Sequence, residues 1–295
     1  MHATCTKRGI LLMIAGSSIF SANDAFSKLA LEHIPPSQIL ALRGVMAALV
    51  LIAVLGWKGQ LPALRFVTDW RVAVRAVAEA CVAMLFITAI TVMSIADATA
   101  ILQITPPATM AVAVLLFGAR IGWRQWLAVA IGFAGVMLIV RPGSSAFDSM
   151  SLLPVGAALL MAFRDFVTGR IGAHVPTLVV AFCTTVTGMG LGFAGSSVEQ
   201  WHALDRTTVG YLVAGGLSLV AGHMLTIAAF RANDPSVVAP FRYAGVVCAV
   251  GLSALLFHDM PDLVSIGGMA LIMGAGLYTM HRHLSAPAAV ARKAA

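Results

Sequence analysis

The sequence predicts an all-α integral membrane protein with ten transmembrane helices, arranged as two inverted five-helix repeats around a central cavity. The first observation is composition: 60% of the 295 residues are hydrophobic and 11% are charged, whereas a soluble domain has about 45–50% apolar and about 25% charged residues. A chain of this size has too little interior to bury so many apolar side chains, so lipid must cover the remainder. The second observation is a series of long apolar runs, and the third is an internal repeat.

The apolar runs have the length of membrane-spanning helices. A helix needs roughly 20 apolar residues to cross a bilayer, whereas a membrane barrel would show alternating segments of about ten residues. This chain shows the first pattern. The predicted spans are residues 9–31, 37–56, 72–94, 97–118, 123–140, 150–172, 177–195, 208–231, 234–257 and 261–283.

Basic residues are distributed unequally between the two faces that these spans define. If the N-terminus is cytoplasmic, thirteen Lys and Arg residues lie on that side and only Arg141 and Arg206 lie on the other. This asymmetry follows the positive-inside rule and predicts that both termini face the cytoplasm, in a multi-pass protein of a bacterial inner membrane. Membrane topology therefore accounts for the net charge of +7. We expect the protein to be embedded in a lipid bilayer and not to bind nucleic acid.

The second half of the chain repeats the first. The segment LEHIPP at 31–36 matches GAHVPT at 172–177, and the same offset of 141 residues carries Asp24 onto Asp165. We expect a first repeat over 1–143, a second over 144–285 and a cytoplasmic tail over 286–295. Because each half holds an odd number of spans, the second half is inverted in the membrane. Inverted repeats are typical of transporters whose substrate site lies between the halves.

Two longer segments carry a resemblance to a known family. IFSANDAFSKLALEHIPPSQILALRGVMAALVLI at 19–52 and APFRYAGVVCAVGLSALLFHDMPDLVSIGGMALIMGAGL at 239–277 are similar to the EamA type of the drug/metabolite transporter superfamily. The resemblance extends over essentially the whole chain and implies a transporter fold. Within the superfamily the chain resembles YddG-like amino-acid exporters, which implies export of aromatic or other neutral amino acids.

Charged residues within the spans cost at least about 2.5–3.5 kcal/mol each near a helix centre, so their positions are informative. Asp24 and Lys28 share one stripe of the first helix, four residues apart with the acid first, which suits an ion pair. Arg43 enters the second span to a similar depth. We predict an Asp24–Lys28–Arg43 cluster that either contacts substrate or gates the cavity, or else links the two helices structurally.

The repeat predicts an equivalent pair in the second half. Asp165 in the sixth span and Arg242 in the ninth lie at similar depths from the opposite face, so we expect them to pair. Two pairs at opposite depths would act as alternating gates, each forming when its own side is closed. The alternative is that both pairs are permanent struts between helices.

Further polar and aromatic residues are candidates for lining the cavity. Glu79 has only Arg75 within one turn of its helix, and it would bind a substrate ammonium, take a proton, or form a local pair with Arg75. The repeat places His223 opposite Phe86 near the midplane, although a structural hydrogen bond is the alternative role for His223. Phe86 and Phe163 would bracket a substrate side chain.

Corresponding helices of the two halves are both broken by proline. The segments are LQITPPATM at 102–110 and VVAPFRYAG at 237–245. Proline kinks a helix and frees a carbonyl one turn back, and paired breaks in the two halves of a transporter point to its substrate site. Unless the kinks serve packing alone, they add Gln103, Thr105, Pro240 and Tyr243 to the candidate lining.

Together these patterns predict a secondary transporter that moves a small zwitterion or neutral metabolite by alternating access, and the resemblance implies export of an aromatic or neutral amino acid. The alternatives are an exporter of drugs or other metabolites with the same fold, and a membrane receptor or scaffold without transport. No HExxH, G-x-S-x-G or P-loop motif is present, so we expect neither enzymatic activity nor ATP-driven pumping by this chain. We expect no cofactor or metal, and a monomer or a weak homodimer.

Overall fold

The fold consists of α-helices joined by short segments, as the succession of apolar runs requires. The computed structural model describes residues 2–105, 123–140, 149–168, 170–172, 174–232 and 239–293. The α-helices in these ranges are α1 (His2–Leu31), α2 (Pro36–Trp57), α3 (Trp70–Ala89), α4 (Ile95–Leu102), α5 (Trp123–Val140), α6 (Leu153–Thr168), α7 (Thr177–Gly195), α8 (Arg206–Ala232), α9 (Ala244–Phe257) and α10 (Leu263–Lys293). Short 3-10 helices cover Leu61–Thr68, Ser149–Leu152 and Ala239–Tyr243. The all-α prediction is confirmed.

Five of the described helices are long and apolar enough to cross a membrane, namely those within α1, α2, α3, α7 and α8. Four shorter apolar helices lie within α5, α6, α9 and α10. The remaining predicted span, 97–118, begins in α4 and continues into residues outside the described ranges. The number of ten crossings therefore stays a prediction.

Apolar side chains cover the outside of the bundle as well as its interior. Leu49, Val247 and Leu255 are 59%, 67% and 76% exposed in the isolated chain. Such an apolar exterior is stable against acyl chains and not against water. Trp57 and Trp70, both largely exposed, lie at helix ends where the bilayer interface is expected.

Eight helices form a closed ring. Following the principal contacts from one helix to the next gives the order α1, α8, α2, α7, α3, α6, α4, α9 and back to α1. The pair α5 and α10 stands outside this ring and packs against α4. Helices of the first and second halves alternate around the ring, so the two halves are interleaved.

The pattern of contacts repeats when the halves are exchanged. If α1–α5 are matched with α6–α10, the contact of α1 with α8 corresponds to that of α6 with α3. In the same way α1 with α9 corresponds to α6 with α4, and α2 with α8 corresponds to α7 with α3. The pairs α2–α7, α4–α9 and α5–α10 map onto themselves. This is the pattern expected of a two-fold internal repeat.

Glycine permits the closest of these helix contacts. A methyl group built at Gly192 of α7 would lie 2.4 Å from the backbone nitrogen of Ala41 and 2.7 Å from the carbonyl oxygen of Ser37 on α2. Only a residue without a side chain allows the two backbones to approach this far. The GxxxG motif of Gly188 and Gly192 is therefore used within the chain, between α2 and α7.

Several helices begin at a side chain that caps them. Asp69, Ser94, Asp205 and Asp262 each accept a hydrogen bond of 2.9 Å from a backbone N–H two or three residues into the following helix. In the loop before α8, the hydrogen bonds from Thr208 lower the pKa of the Asp205 carboxyl. These caps mark the N-terminal starts of α3, α4, α8 and α10.

Each of the two segments predicted to be broken by proline has a helix boundary among its described residues. α4 ends at Leu102, and Gln103 follows it in a turn. In the second half the 3-10 helix Ala239–Tyr243 contains Pro240 and precedes α9. Residues 106–122 and 233–238 lie outside the described ranges, so the segment around Pro106 receives no structural account.

Candidate functional site

A polar network inside the ring links α1 to α2. Arg43 on α2 is 5% exposed, and its Nη1 donates hydrogen bonds to Asn23 Oδ1 at 3.0 Å and to Ser27 Oγ at 2.8 Å. Asn23 donates in turn from Nδ2 to Asp24 Oδ1 at 2.9 Å. Arg43 and Asp24 are therefore connected through the amide of Asn23.

This network crosses the inner face of α8, which separates α1 from α2 in the ring. A methyl group built at Gly215 of α8 would lie 3.6 Å from Arg43 Cδ and 3.8 Å from Asn23 Oδ1. Gly215 therefore faces the side chains of Arg43 and Asn23 where Arg43 reaches α1. Arg43 and Asn23 consequently lie in the interior of the ring.

Lys28 does not join this network, which corrects the predicted Asp24–Lys28–Arg43 cluster. Its Nζ donates to the carbonyl oxygen of Met93 at 2.8 Å and lies 5.1 Å from the centre of the Phe257 ring. The reason is its position near the end of α1, where the turn after α3 presents free carbonyl groups. Lys28 fastens that turn and the end of α9 to α1.

A second network lies between α3 and α6. Arg164 of α6 forms an ion pair with Glu79 of α3 through Nη1 and Oε2, and the two side chains are 11% and 19% exposed. Glu79 is thus paired with a residue of the other half, a partner that none of its three predicted roles included. No local signal in the sequence indicates this pair because 85 residues separate its members.

Arg75 extends the second network from α3 to two more helices. Its Nε donates to Thr168 Oγ1 of α6 at 3.1 Å, and its Nη1 donates to Thr184 Oγ1 of α7 at 2.6 Å. Thr168 also donates to the carbonyl oxygen of Arg164 at 2.7 Å. The network therefore joins three consecutive helices of the ring, α7, α3 and α6.

His223 of α8 stands between the two networks. Its ring interacts electrostatically with Glu79, Arg164 and Arg43, so it lies within reach of both sets of charges. The same ring packs edge-on against Phe20 of α1, with centroids 5.0 Å apart. Phe86, which the repeat placed opposite His223, is buried in an apolar cluster with Ala25, Ile90 and Ala249.

The two broken segments meet each other. Gln103 Nε2, after α4, donates to the carbonyl oxygen of Arg242 in the 3-10 helix before α9, at 3.4 Å. Thr105 Oγ1 bonds the carbonyl oxygen of Leu102 and approaches Met161 Sδ at 3.4 Å. The Arg242 side chain is half-buried.

Tyr243 contacts α10. A methyl group built at Gly276 would overlap the Tyr243 hydroxyl, and the hydroxyl has no hydrogen-bond partner among the described residues. Phe163 is half-buried on α6, beside Arg164. The side chains of Asp165 and Pro240 lie outside the described part of the chain, so the predicted Asp165–Arg242 pair stays a prediction.

The arrangement offers hydrogen-bonding groups to a polar solute. Among the described residues, no three or more His, Cys, Asp and Glu side chains come together. One cavity of about 210 Å³ lies at the ends of α2, α7 and α8, and it is lined by Lys58, Gln60, Pro176, Thr177, Leu178, Met224 and Ala228.

Comparison with known proteins gives the class of this protein. A riboflavin transporter of Rhizobium johnstonii is 31% identical over 229 residues, which cover 76% of this chain and 74% of the relative. The pseudopaline exporter CntI of Pseudomonas aeruginosa is 25% identical over 272 residues, 91% of this chain and 94% of its own. An S-adenosylmethionine uptake transporter of Rickettsia prowazekii is 21% identical over 192 residues, 65% of each chain.

These relatives carry small molecules across membranes, and the interleaved helical ring with its internal polar networks belongs to the same class of membrane transporter. Residues 7–141 match the EamA-like transporter family. The chain belongs to this family, and it is a transporter of small molecules and not an enzyme.

The fold has a counterpart among solved structures. One crystal structure matches 91% of this chain and 94% of its own at a TM-score of 0.64, with 21% sequence identity. At this level of identity the likeness concerns the fold alone.

Proposed function

We propose that the protein is a secondary transporter that exports a neutral or zwitterionic metabolite, in the first place an amino acid, across the bacterial inner membrane by alternating access. The observation that carries this proposal is the ion pair between Glu79 of α3 and Arg164 of α6. It joins the first half of the chain to the second within the ring, where relative movement of the halves would open and close a path.

The two networks stand at different depths. At 1.5 Å per residue, Arg43 is about 10 Å from the start of α2, and Glu79 is about 14 Å from the start of α3 at the opposite face. The hydrocarbon core is about 30 Å thick, so roughly 6 Å of depth separates the networks, and His223 interacts with both. A solute held near His223 would be released to one side by opening α1–α2 and to the other by opening α3–α6.

The charge balance of these networks favours a substrate without net charge. Glu79 balances Arg164, and Asp24 stands close to Arg43. A phosphorylated substrate would need a cluster of Lys and Arg at mid-depth. The two networks contain two acids and three bases, and the third base, Arg75, is bonded to two threonine hydroxyls. An amino-acid zwitterion meets this condition because its two charges cancel.

Riboflavin is the second candidate substrate. The relative from Rhizobium johnstonii, 31% identical to this chain, is a riboflavin transporter. Riboflavin is uncharged at neutral pH, so the charge balance alone does not separate it from an amino acid. The two candidates differ in the ionic head group, which only the amino acid carries.

Flux measurements in proteoliposomes test the proposal. Purified protein is reconstituted, and uptake of labelled phenylalanine, leucine, alanine and riboflavin is followed with and without a pH gradient. We expect flux of at least one amino acid, and loss of that flux in Glu79→Gln. Arg206→Gln, at the exposed first residue of α8, should transport at the wild-type rate.

Three results would contradict the proposal or a part of it. Flux of riboflavin without flux of any amino acid would assign the protein to the second candidate. Binding of a solute without any flux, in vesicles whose protein is correctly folded, would indicate a receptor or scaffold. A reconstituted transporter whose Glu79→Gln variant retains full flux would remove the role given to the α3–α6 ion pair.

A further inference from the structure

Arg43 uses few of its hydrogen-bond donors. A guanidinium has five N–H donors, and the structure shows hydrogen bonds from Nη1 only, both to uncharged oxygens. Nε is fully buried and has no hydrogen-bond partner among the described residues. A buried charge without a directly bonded anion is costly. Among the described residues, the edge of Arg43 that carries Nε therefore lacks the anionic partner that a buried guanidinium requires.

Asp24 provides the complementary charge a short distance away. It is half-buried and interacts electrostatically with Arg43. Among the described residues the structure shows a hydrogen bond to its carboxylate from Asn23 alone. The Asn23 amide occupies the line between the two charged groups, accepting from Arg43 and donating to Asp24. Asn23 thus holds Asp24 and Arg43 near each other, and it separates their charged groups.

Glycine and aromatic residues of α8 and α1 surround this pair. Gly215 of α8 faces Arg43 and Asn23. Two turns along α8, Gly222 faces the Phe20 ring, and His223 packs against the same ring. A substrate side chain extending about 10 Å along α8 from a head group at Arg43 would therefore meet an aromatic wall.

We propose that Asp24 and Arg43, kept apart by Asn23, form the receptor for an amino-acid head group. The substrate carboxylate binds the Nε–Nη2 edge of Arg43 in the forked geometry that guanidinium and carboxylate share, and the substrate ammonium binds Asp24. This inference rests on the proposed function and sharpens it, because it requires both charges of a zwitterion. Riboflavin has neither group and would not use this receptor.

Ligand analogues test the two charges separately. The full-length protein in detergent is heated with phenylalanine, with phenylalaninamide, which lacks the carboxylate, or with N-acetylphenylalanine, which lacks the ammonium. Leucine and alanine with their own analogues form two further series. We expect the amino acid to raise the thermal midpoint and each analogue to bind about tenfold to a hundredfold more weakly, because each loses a charge-assisted hydrogen bond. Sodium chloride at equal concentration shows whether chloride alone fills the Arg43 edge.

Variants then assign each charge to its residue. Arg43→Gln should abolish the difference between acid and amide, and Asp24→Asn should abolish the difference between free amine and N-acetyl compound. Arg206→Gln, exposed at the start of α8, is the matched control and should behave as wild type. If Arg43→Gln does not fold, Arg43→Lys keeps the charge without the fork, and the analogue series on the wild-type protein decides without any variant.

The outcomes separate this inference from the proposed function. Amino-acid flux together with equal binding of acid and amide would overturn the receptor and leave the transport function in place. Absence of amino-acid flux, with phenylacetate stabilising the wild type but not Arg43→Gln, would support the carboxylate position and overturn amino-acid transport. If chloride reproduces the stabilisation, or if neither the amino acids nor phenylacetate stabilise the wild type, the receptor is wrong.

Discussion

Glu79 and Arg164 stabilise each other because neither charge is adequately hydrated inside the ring. Their side chains are 19% and 11% exposed, and in such surroundings the attraction between opposite charges is much stronger than in water. Each member depends on the other, since removal of one partner of a buried pair leaves an uncompensated charge. The pair also holds α3 against α6, which belong to different halves of the chain.

Glu79→Gln should destabilise the protein through this loss. A broken buried ion pair costs about 3 kcal/mol, which corresponds to a fall in the thermal midpoint of roughly 6–12 °C for a chain of this size. The double variant Glu79→Gln/Arg164→Gln should lose less than the sum of the two single variants. Thermal unfolding of all four proteins in one detergent measures this coupling, and strictly additive losses would show that the pair contributes nothing.

At this scale the sequence identified which residues carry charge but not their partners. Asp24 and Arg43 are connected through Asn23, and Asn23 and the nearby Gly215 were missed because neither is charged. The partner of Glu79 was missed because it lies on a helix far along the chain. Local spacing predicts contacts one turn apart, and these contacts join different helices.

Among the elements, α2 and α7 form the tightest contact in the bundle. Gly192→Ala would place a methyl group 2.4 Å from a backbone atom of Ala41, so the helices would have to separate, at a cost of about 1–3 kcal/mol. Gly190 is the matched control on the same helix, because a methyl group there meets nothing within 4 Å. We expect Gly192→Ala to lower the thermal midpoint and Gly190→Ala to leave it unchanged or raise it. The same midpoint in both variants would contradict the close contact.

The start of α2 is capped from the other half of the chain. Its N-cap residue, Pro35, makes no side-chain capping bond, and Glu199 in the α7–α8 loop instead accepts a hydrogen bond from the Ser37 backbone at 2.9 Å. In the same loop, Trp201 donates to Ser37 Oγ and His202 exchanges two hydrogen bonds with Gln38. The loop thereby holds the C-terminal end of α7 against the start of α2.

Glu199→Ala should destabilise the protein by about 1 kcal/mol through loss of this cap and of a carboxylate at a helix N-terminus. Glu32→Ala is the control, because Glu32 is an exposed acid in the neighbouring turn between α1 and α2. Thermal unfolding should show a fall of roughly 2–4 °C for the first variant. An equal effect of both variants would mean that general surface charge, not the cap, is responsible.

The elements themselves were the most predictable part of the structure. Apolar runs of the right length became helices, and the two proline segments became a helix end and a 3-10 helix. The predicted span 72–94 was too long, since α3 ends at Ala89 and a turn follows. Apolar content alone does not show where a helix ends when the following turn is also apolar.

At the scale of the whole molecule, transport by alternating access requires some helix contacts of the ring to open. The α3–α6 contact is the candidate, and Leu85 and Gly156 lie against each other across it, near the end of α3 and the start of α6. In a background without native cysteines, Leu85→Cys and Gly156→Cys would allow this contact to be closed by a short thiol-reactive linker. These positions lie outside both polar networks.

We expect the cross-linked protein to lose flux and to regain it when a reducible linker is cleaved. Each single-cysteine variant, treated with the same reagent, should transport normally. Cross-linked protein that transports at the uncross-linked rate would show that α3 and α6 stay together, and the Glu79–Arg164 pair would then be a permanent strut.

The order of helices around the ring could not be predicted from the sequence. The internal repeat indicated two equivalent halves, and the exchange of contacts between α1–α5 and α6–α10 agrees with that expectation. The interleaving of the halves was not foreseen, because a repeat shows which segments are equivalent and not which segments touch. Helix pairing depends on the shape of complete faces, such as the glycine face of α7 against α2.

The alternation of halves around the ring has a consequence for biosynthesis. α1 leaves the ribosome first, yet its main neighbours, α8 and α9, are translated more than 170 residues later. The Glu79 carboxylate must likewise wait in the lipid, or beside an insertase, until its partner Arg164 arrives 85 residues later. Truncation after α5 should accordingly yield a degradation-prone fragment, and co-expression of two separate halves should rescue it.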